Sequence, residues 1–164
     1  MPNINLEAVL LEALDDERKA EATYGAVIEK FGEVRPFINI IEAERRHSPA
    51  IERQMIRLGF AIPANQWQGK GMAPATLAEA CRIAIKAEVE NIALYDRLLP
   101  AIADDSVRHV LQNLQDASRD NHLPAFRRCL ERENGGDGSG GARDGQASQG
   151  RHGRGRGPRG GCSI

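Results

Sequence analysis

No stretch of the 164-residue chain approaches the roughly 20 consecutive apolar residues that a membrane-spanning helix needs. The first residues, MPNINLEAVLLEALDDERK, likewise lack the basic segment and apolar block of a secretory leader. A protein that works in the cytoplasm, away from membranes, is the expectation. Cysteine is scarce: there are three, an odd number with no Cys-x-x-Cys pair, which argues against a disulfide framework or a zinc knuckle. Cys81 and Cys129 are therefore expected as buried thiols, with Cys162 in the tail. No useful length alternates with period two, so no strands are expected. Net charge is also nearly absent, at −1.

That small net charge hides a division. From Asn134 onward the chain reads NGGDGSGGARDGQASQGRHGRGRGPRGGCSI, holding 12 of the 17 glycines, five Arg and two Asp. Such a segment cannot bury enough apolar surface to offset its ordering entropy, so 134–164 is expected to be a disordered, solubilising tail and 1–133 the folded domain. Arg/Gly segments can bind RNA by charge and stacking, but this one has no aromatic residue, so a nucleic-acid partner is not expected.

Four helical stripes are present in the folded part. The first passes through Leu10, Leu14, Tyr24, Ile28 and Phe31, and the second through Phe37, Ile40, Ile51, Met55 and Leu58. A third begins near Thr76, where Thr76-x-x-Glu79 offers a capping box, and a fourth near Asp104 or Asp105. Short links near Gly32 and Pro100 make two antiparallel hairpins, while the span Gly59–Pro74 is long enough to run the length of a helix. The expected fold is all-α, a ferritin-like four-helix bundle of two hairpins with one long crossover, its Trp67 covering an end of the bundle. The halves match: Glu17 and Glu88 each stand seven residues before a tyrosine, Tyr24 and Tyr95, and His47 and His122 each open a His-x-Pro-Ala piece. The two tyrosines read as core packing.

Polar residues interrupt every stripe: Glu17 and Glu21, Glu44 and His47, Glu88, and Ser118 and His122. Buried carboxylates cost several kcal/mol each unless paired or bound to metal. Glu44-x-x-His47 has the i, i+3 spacing that puts a carboxylate and an imidazole side by side. A Glu from each of two helices and Glu-x-x-His from each of the other two is how bundles hold two iron or manganese ions. Glu17, Glu44, His47, Glu88 and His122 supply most of that set. The fourth carboxylate is missing, because Arg119 stands three residues before His122 and Asp120 points elsewhere on the helical wheel. Glu21 could replace it, Arg119 could stand in for a second cation, or the centre could be mononuclear. Without metal, the acids would have to pair with Arg18, Arg46, Arg119 or Lys86.

Proline cannot donate to a helix and crowds the carbonyl four residues back, which for Pro49 and Pro124 is that of Arg45 and Asp120. Distorted but continuous helices are expected at both places, beside the candidate ligands.

The stretches ALDDERKAEATYGAVIEKFG, VRPFINIIEAERRH, AEVENIALYDRLL and ASRDNHLPAF resemble a family of prokaryotic ferritin-like domains of unknown function related to the rubrerythrins, over about residues 5 to 131. The resemblance implies a ferritin-like bundle and a metal centre whose ligand pattern lands on Glu17, Glu44, His47, Glu88 and His122. Arg119 breaks that pattern, and no Cys-rich rubredoxin-like module is present in the sequence. The expected function is a buried iron centre, with manganese or copper as alternatives, acting on oxygen or peroxide with an unidentified electron donor; a homodimer is compatible with it. Metal sequestration or sensing without turnover, and a metal-free helical interaction module, are the competing readings. No catalytic residue is singled out.

Overall fold

The computed structural model describes residues 5–136. Helix α1 spans Leu6–Phe31 and starts where the Asn5 side chain accepts the N–H groups of Glu7 and Ala8. Helix α2 spans Phe37–Leu58 and stops at Gly59, whose φ of 76° suits a residue without Cβ. Thr76 caps α3, Leu77–Leu98, by accepting the Glu79 N–H at 3.2 Å, as its sequence position implied. Asp104 caps α4, Asp105–Asp116, by accepting the Val107 N–H at 2.9 Å. A π-helical turn over Ala117–His122 then leads directly into α5, Leu123–Gly136.

The described residues thus form an all-α four-helix bundle, its fourth helix built of α4, the π turn and α5, with no strand among them. Helix α1 packs mainly on α2, and α3 on α5, so the two hairpins are the tightly packed units. The last helix runs to Gly136, past the boundary expected at 133; residues 137–164, expected to be disordered and holding Cys162, lie outside the described residues. Among the described residues, no helix is long and apolar enough to cross a membrane.

The crossover between α2 and α3 lies along α1. The Arg18 guanidinium donates to the Pro63 carbonyl at 2.9 Å, and the Trp67 indole N–H donates to Asp15 at 2.8 Å with the Lys19 ammonium 5.7 Å from the ring centroid. Trp67 therefore covers the middle of α1 and not an end of the bundle. Gly71 comes so close that a Cβ there would stand 1.9 Å from the Ala22 carbonyl oxygen.

Two apolar clusters fill the interior. One gathers Leu10, Leu14, Ile51, Met55, Tyr95 and Leu111; the other gathers Tyr24, Phe37, Phe126 and the two cysteines. Cys81 on α3 and Cys129 on α5 are joined by a disulfide, Cα atoms 6.1 Å apart, and are not the free thiols expected. An odd count had hidden a pair brought together by helix packing across 48 residues.

Candidate metal centre

Between the two apolar clusters, the interruptions in the stripes converge. Glu17, Glu44, Glu88 and His122 are each 2–3% exposed, and His47 stands beside them partly buried. His47 Nδ1 lies 3.0 Å from Glu17 Oε2 and 3.1 Å from Glu44 Oε2. The other oxygen of Glu44 lies 3.1 Å from His122 Nδ1, which is also 3.5 Å from Glu88 Oε2. Glu44 thus faces one imidazole with each oxygen, and the rings stack with centroids 5.7 Å apart. Two groups follow, Glu17/Glu44/His47 and Glu44/Glu88/His122, and in each the ligand-type atoms lie within 4.8 Å of one another and could hold a metal ion.

The tyrosines are part of this site as well as of the core. Tyr24 O–H donates to Glu88 Oε1 at 2.7 Å and Tyr95 O–H donates to Glu17 Oε1 at 2.6 Å, each reaching across to the other hairpin. The matched Glu-to-Tyr spacing in the two halves held this information, since it places both partners at equivalent depths. Each bond orients a carboxylate whose second oxygen faces a histidine.

Two residues that sequence spacing placed near the site are elsewhere. Glu21 is one-third exposed and lies 3.5 Å from Arg45, so it does not supply the missing carboxylate. Arg119 points outward and pairs with Asp116 at 3.1 Å, so it does not stand in for a cation. The reason is the π turn, in which the Leu123 N–H bonds to the Ser118 carbonyl. The wider turn keeps Ser118, four residues before His122, on the inside and swings Arg119 away from that face. It lies just ahead of Pro124, which cannot donate and whose ring would crowd the Asp120 carbonyl in a regular helix. Around Pro49, by contrast, α2 stays α-helical throughout. Both helices are continuous, and only the second carries a π distortion.

Ser118 leads to two residues that the stripes did not reveal. Its hydroxyl donates to Asn91 Oδ1 at 2.8 Å, and Asn91 Nδ2 donates to Asp16 Oδ2 at 2.7 Å. Asn91 stands three residues after Glu88, the i, i+3 relation that puts it on the same face. Asp16, next to Glu17, carried no periodic signal. Burial raises the Asp16 carboxyl to about 6, against the lowering hydrogen bond from Asn91.

The charge state of the centre follows from its contacts. Burial, with the nearby Glu44 charge, raises Glu17 to about 7. For Glu44 burial works the other way from its partners, and the facing His122 and His47 imidazoles win, leaving its pKa below the ordinary value. Burial opposes charge on the imidazoles, yet the Glu17 and Glu44 carboxylates raise His47 to about 10, and Glu44 with Glu88 raises His122 to about 9. Protons on the two histidines therefore balance the carboxylates. His122 Nδ1 is nonetheless buried without a well-aligned hydrogen bond, the condition of a ligand atom aimed at a site for a cation. The donor set and this orphaned nitrogen fit a metal centre.

A cavity of about 280 Å³ between α1 and α3 reaches the centre from the surface, with Glu17, Glu44 and Glu88 in its lining together with Asp16, Asn91 and Ser118.

No family model and no curated protein matches the sequence. Among solved structures, the chain is similar to the crystal structure of hypothetical protein MJ0754 from Methanococcus jannaschii DSM 2661. The two align with a TM-score of 0.72 over 82% of this chain and 85% of that one, at 20% sequence identity. At that identity the likeness is one of fold.

Proposed function

We propose that the chain is a ferritin-like metalloprotein whose Glu17, Glu44 and His47 hold one ion and whose Glu44, Glu88 and His122 hold a second. One observation carries the reading. Among the described residues the buried carboxylates Glu17, Glu44 and Glu88 have no Arg or Lys within ion-pair distance: Arg18 pairs with Glu52, Arg119 with Asp116 and Lys86 with Glu90. Arg46 is exposed. The only cations facing them are imidazoles, which are themselves metal ligands. Buried acids without fixed cationic partners are costly unless a metal offsets them.

Mixed carboxylate and imidazole donors suit iron, with manganese and copper as the alternatives. Iron held there would supply electron exchange with dioxygen or peroxide. The chain's own residues do the rest: Tyr24 and Tyr95 fix the carboxylates, the apolar clusters keep bulk water away, and the cavity admits a small reactant.

The test is metal content by mass spectrometry after anaerobic loading with Fe(II). Two ions per chain are expected in the native protein, one in His47→Ala and none in Glu44→Ala, because Glu44 serves both groups. No metal in the native protein overturns the reading. If metal is bound but the Fe(II) form is inert to both dioxygen and peroxide, sequestration or sensing replaces the redox role.

A further inference from the structure

The disulfide and one of the two ligand groups are carried by the same pair of helices. Cys81 stands seven residues before Glu88 on α3, and Cys129 on α5 stands seven residues after His122, the last residue of the π turn. Seven residues are close to two full turns, so each cysteine lies on the same face as its ligand, about 10 Å away along the axis. Between them on the same faces are Ala84 and Phe126, both buried. Cys81, Ala84 and Glu88 thus make one stripe of α3, and Cys129, Phe126 and His122 one stripe of α5. At one end the stripes are joined by the S–S bond, and at the other Glu88 Oε2 lies 3.5 Å from His122 Nδ1. Tyr24 from α1 connects the middle to the ligand end: its ring centroid is 5.2 Å from that of Phe126, and its hydroxyl donates to Glu88 Oε1 at 2.7 Å.

The other group has no such link. Glu17, Glu44 and His47 come from α1 and α2, which carry no cysteine. The bond therefore ties together two of the three residues of the Glu44/Glu88/His122 group and none of the Glu17/Glu44/His47 group. The pair also sits at the margin of the core. Cys129 is the last buried residue of α5 among those described, and on α3 only Ala80 precedes Cys81 among buried residues, so the bond lies where helices open locally. Two covalent states are available to it. With peroxide as oxidant the two thiols lose two electrons and the S–S bond forms, while the O–O bond breaks and the thiol protons leave in two waters. A dithiol reductant reverses this by exchange, giving up two electrons and two protons and becoming a disulfide itself.

We propose that the Cys81–Cys129 pair is a redox control on one ion of the centre: as a disulfide it holds Glu88 and His122 in register for metal, and as a dithiol it releases them, while the Glu17/Glu44/His47 group keeps its ion in both states. This names the regulation of the centre proposed above and rests on that reading. Linkage makes the effect reciprocal, so an ion held by Glu44, Glu88 and His122 protects the disulfide from reduction by the same factor.

Two variants of the full-length chain separate the groups: His47→Ala leaves only the Glu44/Glu88/His122 group complete, and His122→Ala only the other. Each is prepared anaerobically as disulfide and as dithiol, the state being read by alkylation of a denatured sample, and dialysed against graded Fe(II) with bound metal read by mass spectrometry. Reduction is expected to weaken Fe(II) in His47→Ala about tenfold or more, the usual effect of loosening what orients a metal ligand, and to leave His122→Ala unchanged. Adding Cys81→Ala and Cys129→Ala to His47→Ala, which leaves no bond to reduce, should give the weak affinity under oxidising and reducing conditions alike. In glutathione buffers the disulfide of His47→Ala should become harder to reduce when Fe(II) is present, a tenfold coupling appearing as a potential about 30 mV more negative, with no such shift in His122→Ala. Equal affinity of the two states in His47→Ala overturns the inference and leaves the metal reading intact. A matching loss in His122→Ala does the same, because it would mark a general loosening of the fold. A native chain that binds no Fe(II) in either state overturns the metal reading, and this control with it.

Discussion

Loading the proposed centre with metal should expel protons, and the buried contacts set how many. In the metal-free chain at pH 7, His47 and His122, raised to about 10 and about 9, are both charged. Glu17, raised to about 7, is about half protonated, and Glu44, lowered, is ionised. A metal takes the imidazole lone pair, so two ions displace two histidine protons and part of one from Glu17. Between two and three protons, about 2.5, should be released per chain at pH 7. Each group's apparent affinity should rise about tenfold per pH unit from 7 to about 9, where the His122 step ends first. Calorimetric titration of Zn(II) in buffers of different ionisation enthalpy reads the proton count directly. Release of less than one proton per chain would refute the charge assignment, and with it the view that protons stand where the metals bind. The stability of the metal-free chain carries the same sign. His47 and His122, raised from 6.5, and Glu17, raised from 4.5, each favour the folded state below those values. Their contributions disappear as pH climbs through about 7, about 9 and about 10, so the metal-free melting temperature should fall between pH 5 and pH 10.

Other outcomes follow from particular contacts. Gly71→Ala drives a Cβ to within 1.9 Å of the Ala22 carbonyl, so the crossover must lift from α1; a loss of about 1–3 kcal/mol in denaturant unfolding is expected. The Cys81–Cys129 bond closes 48 residues, worth about 4 kcal/mol in a chain-entropy account, so Cys81→Ser with Cys129→Ser should lower the melting temperature markedly. Alkylation of the denatured native chain should modify one cysteine before reduction and three after; three before reduction would remove the disulfide from the fold. Tyr95→Phe leaves a buried Glu17 oxygen without its donor, costing about 1–3 kcal/mol, and should reduce metal in the Glu17/Glu44/His47 group while Arg119→Ala leaves metal content unchanged. Asp16→Asn removes the nearest further carboxylate at the Asn91 side chain, and should weaken retention of the second ion in competition with a chelator.

Most of the frame was legible because it rests on local chemistry. Thr76 and Asp104 start helices where short polar side chains meet orphan amides, and Glu17, Glu44 and Glu88 stand out as charges in apolar stripes. What could not be read depends on packing between segments distant in sequence. A helical wheel assumes one period throughout, so it left Arg119 near His122, whereas the π turn swings Arg119 outward and keeps Ser118, already on the stripe, inside. The Cys81–Cys129 pair and the path of Trp67 along α1 arise only once α3 meets α5 and the crossover settles on Ala22. The role of Tyr24 and Tyr95 was half visible: their size marked them as core, and only the approach of the opposite hairpin gave their hydroxyls a partner.

The two halves are therefore alike in pattern but not in self-sufficiency. Glu17, Glu44 and His47 all come from the first hairpin, so that group can be assembled by α1 and α2 alone. Glu88 and His122 come from the second hairpin and need Glu44 from the first to complete their group. A carboxylate on the inner side of the π turn would have made the second hairpin independent; Ser118 stands there instead and is linked through Asn91 to Asp16 on α1. The lost carboxylate is thus replaced by contacts that cross between hairpins. Tyr24 to Glu88, Tyr95 to Glu17 and Asn91 to Asp16 run the same way. Where α1 faces α3 the hairpins touch far less than partners within a hairpin do, and these polar bonds link the two helices beside the cavity. An ion shared through Glu44 would tighten the same contact, so metal occupancy and the docking of the two hairpins should rise and fall together.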